Sequence, residues 1–334
     1  MPNISDRGFL TTPHTLKMMK IYIVIPCYNE EEVLCWAVDK LQTVVDRLRD
    51  ETATEARLML VDDGSSDKTW PLICQLTEKF ANISGIRLSH NVGHQRALWA
   101  GLEQTVDQCD AAVSIDADLQ DDENAIIDMV KQVKQGCDIV YGVRKERKTD
   151  AFFKRFTAQT FYRLMRSVDQ EMIYNHADYR MMTARTVRAL LAFPERNLFL
   201  RGLVRQLGFN EGFVFYNRTA RTAGQSKYPL HKMLSFSVDG ITSFSTAPLK
   251  WITVIGLLMT LVSVVMIGFA LIEYAQGNTI QGWTSTLTSL WFIGGVVTTG
   301  VGITGVYVGK IYTEVKRRPR YFVMERRNRI EINH

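Results

Sequence analysis

Two long stretches near the carboxyl end carry no charge, and they limit what the chain can be. Trp251–Ile272 (WITVIGLLMTLVSVVMIGFALI) is 22 residues without Asp, Glu, Lys or Arg, and Leu287–Gly309 is a second such run. A rise of about 1.5 Å per residue makes such a helix long enough for a hydrocarbon core of about 30 Å. A buried core helix is the alternative, but soluble cores rarely run this far uncharged. The link Glu273–Ser285 has no Lys or Arg, whereas Lys250 stands on one flank and Lys310, Lys316, Arg317, Arg318 and Arg320 on the other. The positive-inside rule then puts both flanks in the cytoplasm. The expectation is a multi-pass protein of the plasma (inner) membrane, with its large domain and both termini cytoplasmic. Met1–Lys20 lacks the apolar core of a signal peptide. An apolar fraction of 46% excludes disorder, and five cysteines, none in a CxxC pair, exclude a disulfide scaffold and read as reduced.

Before the uncharged runs, strand-length apolar segments alternate with helical ones. Ile21–Ile25, Arg57–Val61, Gly85–Leu88, Ala111–Ile115 and Asp138–Tyr141 are candidate strands. Glu31–Arg49, Asp67–Phe80, Gly93–Thr105 and Glu123–Gln135 are candidate helices. Strand–helix–strand alternation predicts right-handed crossovers and a mainly parallel α/β sheet, with ligands beyond the strands' carboxyl ends. Two further segments have interfacial character. Leu230–Phe244 has helical apolar spacing, and Phe152–Arg166 interleaves aromatic and basic residues. The second fits either an anionic membrane surface or packing on the domain core.

The strand ends carry the chemistry. Asp116 and Asp118 flank Ala117 after the fourth strand; i and i+2 side chains of an extended segment point the same way. Two such carboxylates repel unless a cation lies between them, and Mg²⁺ or Mn²⁺ favours carboxylate oxygens while keeping positions for phosphates. Gln120 can add an oxygen. The bland alternative is a solvated acidic turn. In the second loop, Asp67 can cap the next helix, Asp62 or Asp63 can bond a base or ribose, and Gly64 permits a tight turn. No GxGxxG or GxxxxGK[ST] follows a strand, which argues against a dinucleotide enzyme or a P-loop ATPase. Arg218, Arg221 and Lys227 form a basic stretch around Gly224, open to two readings: a loop over phosphates or a juxtamembrane contact with anionic lipid. Arg144 and Arg155 are further phosphate candidates.

IVIPCYNEEE (23–32), VDDGSSDKT (61–69), HNVGHQRALWAG (90–101), DADLQD (116–121), HADYRMM (176–182), FLRGLVRQLGF (199–209), AGQSKYPLHKMLSFSVDGITSFSTAPLK (223–250) and VGKIYTEVKRRPRYFV (308–323) together resemble the family 2 glycosyltransferases of the polyisoprenyl-phosphate type, the group of the bactoprenol glucosyltransferases and dolichol-phosphate mannose synthase. The resemblance implies a GT-A fold and inverting, metal-dependent transfer of one sugar from a nucleotide-diphosphate sugar to a polyprenyl (undecaprenyl) phosphate for cell-envelope glycan modification. UDP-glucose is the favoured donor, with N-acetylglucosamine, galactose, mannose or amino-arabinose as alternatives. A processive polysaccharide synthase is a further alternative, although no QxxRW-type motif is present.

The resemblance assigns Pro26, Tyr28, Glu30, Val61, Asp63, Asp116, Ala117 and Arg144 to the nucleotide sugar, and Asp116, Asp118 and Gln120 to Mg²⁺ or Mn²⁺. It assigns Arg155, Arg221 and Lys227 to the acceptor phosphate, and Asp118, Asp178, Arg221 and Lys227 to catalysis. Asp122 stands where relatives often have Pro, and His176 where a small residue is commoner. Partners are then the donor, the lipid acceptor and the membrane, with no nucleic acid and a homo-oligomer, possibly a tetramer, as the assembly. The implied organisation is an extension (1–20), a cytoplasmic GT-A domain (21–228), an amphipathic juxtamembrane helix (229–249), two spans (250–310) and a basic cytoplasmic tail (311–334).

Overall fold

A computed structural model describes residues 18–145, 176–217 apart from 197 and 199, 282–327, and scattered positions between 249 and 276. The five expected strands are present as β1 (Met19–Cys27), β2 (Thr54–Asp62), β3 (Ile83–Leu88), β4 (Ala111–Ser114) and β5 (Ile139–Arg144). The helices between them are α1 (Leu34–Thr52), α2 (Thr69–Lys79), α3 (His94–Thr105) and α4 (Ala125–Lys134). Helix α1 starts later than its apolar pattern implies, because Glu31 is occupied elsewhere: its carboxylate accepts from the Lys68 amide at 3.0 Å and its own amide donates to Asp67 at 3.2 Å.

The second half adds β6 (His176–Thr183), α5 (Ala184–Leu191), α6 (Leu200–Gln206) and β7 (Glu211–Tyr216), then a long helix α7 (Trp283–Lys316) and β8 (Val323–Arg327). The eight strands lie in the order β7-β5-β6-β4-β1-β2-β3-β8. All run parallel except β6 and β8, each antiparallel to its neighbours.

The sheet is covered on both faces, so its strands are apolar on both. Ile21, Ile23 and Ile25 of β1 join one core with α1, α2 and α4, while Tyr22 and Val24 join the other with α3, α5 and α6. Double burial is why IYIVI reads as an unbroken apolar run rather than an alternation. Helix α3 lies very close to the sheet at Gly101, where a Cβ would stand 2.3 Å from Val24 Cγ1 and 2.9 Å from Val61 Cγ2.

Helix α7 has the opposite character. It spans 34 residues, about 50 Å at 1.5 Å per residue. Its segment Phe292–Lys316 is long and apolar enough to cross a membrane, and the apolar 18-residue window within it has no buried residue. Among the described residues it is the one such helix; most of the first uncharged run lies outside them, and the described positions between 251 and 265 are helical. The expected juxtamembrane helix and the Phe152–Arg166 segment also lie outside the described residues.

Past α7 the chain is more than a charged tail. Residues 323–327 pair with β3, and Ser89 donates to the Phe322 carbonyl at 3.0 Å. The approach is fixed by Arg320, whose guanidinium sits 4.3 Å over the Trp99 ring and donates to the Phe193 and Glu195 carbonyls at 2.7 and 2.8 Å. Tyr321 donates to Glu103 at 2.6 Å, and Glu314 accepts from the Arg196 amide at 2.8 Å. The foot of α7 is thereby fastened to the α/β domain. The expected extension 1–20 also ends sooner, since β1 begins at Met19.

Candidate active site

The loops at the carboxyl ends of β1 and β2 are stapled together. Asn29, at φ 54°, donates its amide to Ser65 Oγ at 3.0 Å and accepts from the Ser66 amide at 2.9 Å. The Glu30 amide donates to Thr69 Oγ1 at 2.9 Å. Asp67, one residue before the N-cap position Lys68, accepts from Thr69 N at 3.0 Å and also from Glu31 N, so it braces the start of α2 rather than capping it. Burial would raise its carboxyl, but bonds from Thr69 and Glu31 hold it below the usual range. Tyr28, 47% exposed, is left open at the rim. Pro26 in β1 and Val61 in β2 are buried, as is Ala117 in the loop after β4.

The β2 loop in turn holds the β3 loop. Asp63 accepts from the amides of Val92 at 2.8 Å and Gly93 at 3.0 Å. Burial raises its carboxyl, and these two amides oppose the rise. Asp62 binds the Ser65 amide at 3.0 Å and pairs with Arg87 at 3.3 Å. Gly64 is required twice over: its φ is +66°, and a Cβ would lie 2.5 Å from the His90 carbonyl carbon. Gly93, at φ +91°, then turns the chain into α3, whose first residue is His94.

His94 leads to the acidic centre. Its Nε2 is 3.6 Å from Asp116 and 3.9 Å from Asp178. The antiparallel register explains the meeting: Ser114 of β4 pairs with Arg180 of β6, so two residues on, Asp116 and Asp178 reach the same level. Burial at the cleft floor raises the Asp116 carboxyl although half its side chain remains open; His94 opposes the rise, and Asp178, Asp121 and Asp118 add to it. Asp118 accepts from Gln120 Nε2 at 2.9 Å, so Gln120 positions this carboxylate. Between them Leu119 adopts φ 41°, with its amide donating to the Asp116 carbonyl at 3.2 Å. A left-handed leucine costs about 1–2 kcal/mol, and strain of this kind collects at functional sites.

The other two carboxylates are already matched by arginines. Asp121 forms a fork with Arg144, at 2.9 Å to Nε and 3.2 Å to Nη2. Asp178 accepts from Arg180 Nη2 at 2.9 Å and from Arg201 Nε at 3.1 Å. Burial alone would raise Asp178, but Arg201 and Arg180 hold it well below the carboxylate range. Among the described residues no group of three or more His, Cys, Asp and Glu forms a cage for a metal. The donor set of Asp116 and Asp118 fits a different arrangement, a hard divalent ion completed by ligand phosphates and water.

The structure therefore brings Asp63, Asp116, Asp118, Gln120, Asp178 and Arg144 into one charged cluster at the strand ends, linked through His94 and Arg201. Arg155, Arg221 and Lys227 lie outside the described residues. His94, Arg180 and Arg201 were not singled out from the sequence. The i, i+2 spacing of Asp178 and Arg180, same-facing on a strand, was the available signal for one of them.

The family model for Glycosyl transferase family 2 matches residues 22–191. The glycosyltransferase YkoT of Bacillus subtilis (strain 168) is 48% identical over 303 residues, 90% of each chain. The bactoprenol glucosyl transferase of Shigella phage SfX is 36% identical over 92% of this chain and 100% of its own. The prophage bactoprenol glucosyl transferase homolog of Escherichia coli (strain K12) is 34% identical over 91% of this chain and 98% of its own. Among solved structures, glucosyl-3-phosphoglycerate synthase from Mycobacterium tuberculosis in complex with Mn²⁺ and uridine-diphosphate-glucose is 18% identical, over 67% of this chain and 77% of that one, with a TM-score of 0.47.

Proposed function

The chain belongs to glycosyl transferase family 2, a glycosyltransferase with a GT-A-like α/β fold, and from that premise we propose that it moves one sugar from a nucleotide-diphosphate sugar to a polyprenyl phosphate at the cytoplasmic membrane face. Glucose from UDP-glucose is the favoured donor, in keeping with relatives named bactoprenol glucosyl transferase that align along nearly their whole length. The observation that carries the reading is structural. A helix with bare apolar sides is fastened, through Arg320, Tyr321 and β8, to the same sheet whose strand ends hold the acidic cleft. A lipid acceptor accounts for that combination, and a soluble acceptor would not require it. The uncharged run 251–272 serves as a second span in this reading, with the domain at 21–228 and both termini on the cytoplasmic side.

The acceptor supplies its own nucleophile, since a phosphate monoester carries about −1.5 to −2 charges at pH 7. The demanding event is departure of the nucleoside diphosphate. Asp116 and Asp118 would hold Mg²⁺ or Mn²⁺ here, with Gln120 fixing Asp118. When bound, such an ion offsets the charge that develops on the leaving group. Asp63 fixes the β3 loop and Tyr28 keeps an exposed ring; in this reading the nucleotide would lie between them. Arg155, Arg221 and Lys227 are the proposed cations that draw two anionic reactants together. A single in-line attack inverts the donor anomer.

The test is an assay of the full-length protein in proteoliposomes with polyprenyl phosphate and a panel of nucleotide sugars, read by mass spectrometry of the lipid. A single-sugar glycolipid, formed best from UDP-glucose, is the expected product. A polymer, or transfer to a soluble acceptor alone, would overturn the reading.

A further inference from the structure

Two arginines converge on one carboxylate in the cleft, and a single one would neutralise it. Asp178 Oδ1 accepts from Arg180 Nη2 at 2.9 Å and from Arg201 Nε at 3.1 Å, while Oδ2 accepts from Arg201 Nη2 at 3.2 Å. Arg180 is sealed inside the domain, 1% exposed, with Nη1 donating to the Leu200 carbonyl at 3.3 Å. Arg201, in the first turn of α6, keeps 34% of its side chain open. That turn is pinned from a second side, because the Leu200 amide donates to Gln95 Oε1 on α3 at 3.0 Å. The fork on Asp178 uses one edge of the Arg201 guanidinium, and no acceptor among the described residues takes its Nη1 hydrogens. The next charges that Arg201 meets are Arg144, which repels it, and Asp116, which attracts it. A guanidinium locked along one edge and open along the other, beside the carboxylates proposed to hold a metal and a diphosphate, is a pre-organised oxyanion receptor.

We propose that Arg201 is a phosphoryl-binding residue of this cleft and that Asp178 acts through it as a positioning residue. The ligand chemistry is a phosphate oxyanion, from either the acceptor monoester or the donor diphosphate, and the proposal rests on the transfer reaction above. It gives Asp178 a role other than that of a base. A carboxylate shared by two guanidinia is a poor proton acceptor, and its lowered pKa agrees.

The experiment uses full-length protein in proteoliposomes and compares Arg201→Gln, Arg201→Lys, Asp178→Asn and the double variant Asp178→Asn/Arg201→Gln. One arm measures KM and kcat for polyprenyl phosphate at saturating donor. The other measures UDP affinity by calorimetry with Mg²⁺ present. Arg201→Gln is expected to weaken one of the two by roughly 10- to 100-fold, the size of a lost charge-assisted bond; the arm that moves identifies the source of the phosphate. Asp178→Asn should move the same arm by less, and the double variant should match Arg201→Gln, because the two residues act as one unit. Arg201→Lys keeps a charge without the fork and should fall between. Arg180 still pairs with Asp178 in Arg201→Gln, so its melting temperature should hold; if it does not fold, Arg201→Lys carries the same readout. Both arms within twofold of wild type in a folded Arg201 variant would overturn the proposal. So would Asp178→Asn lowering kcat while Arg201→Gln leaves it intact. Wild-type protein that makes no glycolipid with any nucleotide sugar would instead defeat the transfer reaction, and the UDP arm would still report on Arg201.

Discussion

The helices of the α/β domain and α7 treat apolar side chains in opposite ways. Helices α1 to α6 press them against the sheet, as with Leu34, Leu41 and Leu48 of α1, all fully buried. Helix α7 shows Leu290, Phe292, Val297 and Val301 to its surroundings, each more than half exposed. Water would not tolerate such a surface on a monomer. The contrast fits the membrane reading proposed above, with the acidic site on the region whose apolar side chains turn inward. What makes them one machine is the fastening at Arg320, Tyr321 and β8. Four substitutions test this division of labour.

The largest effect is expected in the cleft. Asp118→Ala removes a carboxylate that Gln120 holds in place, at a position that is not itself part of the apolar core. Turnover should fall by roughly 10²–10³-fold, with an unchanged melting curve and unchanged membrane fractionation. Wild-type turnover by this variant, or full activity in excess chelator, would remove the metal role. The mirror experiment charges the other region. Val301→Arg, near the middle of α7, should cost about 2.5–3.5 kcal/mol of membrane insertion. In the variant α7 should become open to aqueous protease or thiol labelling at an introduced cysteine while the domain keeps its circular dichroism. Labelling equally fast in wild type and variant would mean that α7 does not lie in lipid.

The parallel half of the sheet was legible because two-sided burial writes itself as apolar runs. IYIVI and ARLMLV carry that signature, and β1 to β5 fall where it places them. Strand β6 was hidden by its own charges: HADYRMMT places Asp178 and the buried Arg180, paired with each other, in what should be an apolar strand. Strand β8 reads VMERR, a charged edge strand with nothing in its pattern to separate it from a tail. The cleft divides likewise. Asp116 and Asp118 were visible from their place after a strand. His94 and Arg201 reach the same point only through tertiary folding, one at the start of α3 and the other at the start of α6. No local period marks such residues. Asp121 and Arg144 illustrate the reverse case, a candidate phosphate cation that the fold supplies with a carboxylate partner.

Gly64→Ala probes the join between two cleft loops. The φ of +66° costs an alanine about 1 kcal/mol, and a Cβ 2.5 Å from the His90 carbonyl carbon must push that loop away. A total of roughly 2–3 kcal/mol is expected, together with weaker nucleotide binding, because His90 to Gly93 is the segment that Asp63 fixes. Lost stability with unchanged UDP affinity would detach this loop from the nucleotide site.

Arg320→Ala should give the smallest effect, and it bears directly on how the two regions are joined. The guanidinium stacks on Trp99 and donates to the Phe193 and Glu195 carbonyls. Desolvation lowers its pKa, as does Arg196, while Glu103, Glu314 and Glu195 oppose the fall. It is a fixed cation on the flank of α3, the helix that presents His94 at its first residue. Loss of the stack and its bonds should cost about 1–2 kcal/mol of domain stability. If the fastening merely tethers, transfer to a soluble short-chain polyprenyl phosphate and transfer to the bilayer-embedded lipid should fall together. If it sets the height of the cleft above the bilayer, transfer to the embedded lipid should fall further. The ratio of the two rates in Arg320→Ala, compared with wild type, separates an anchor from a spacer.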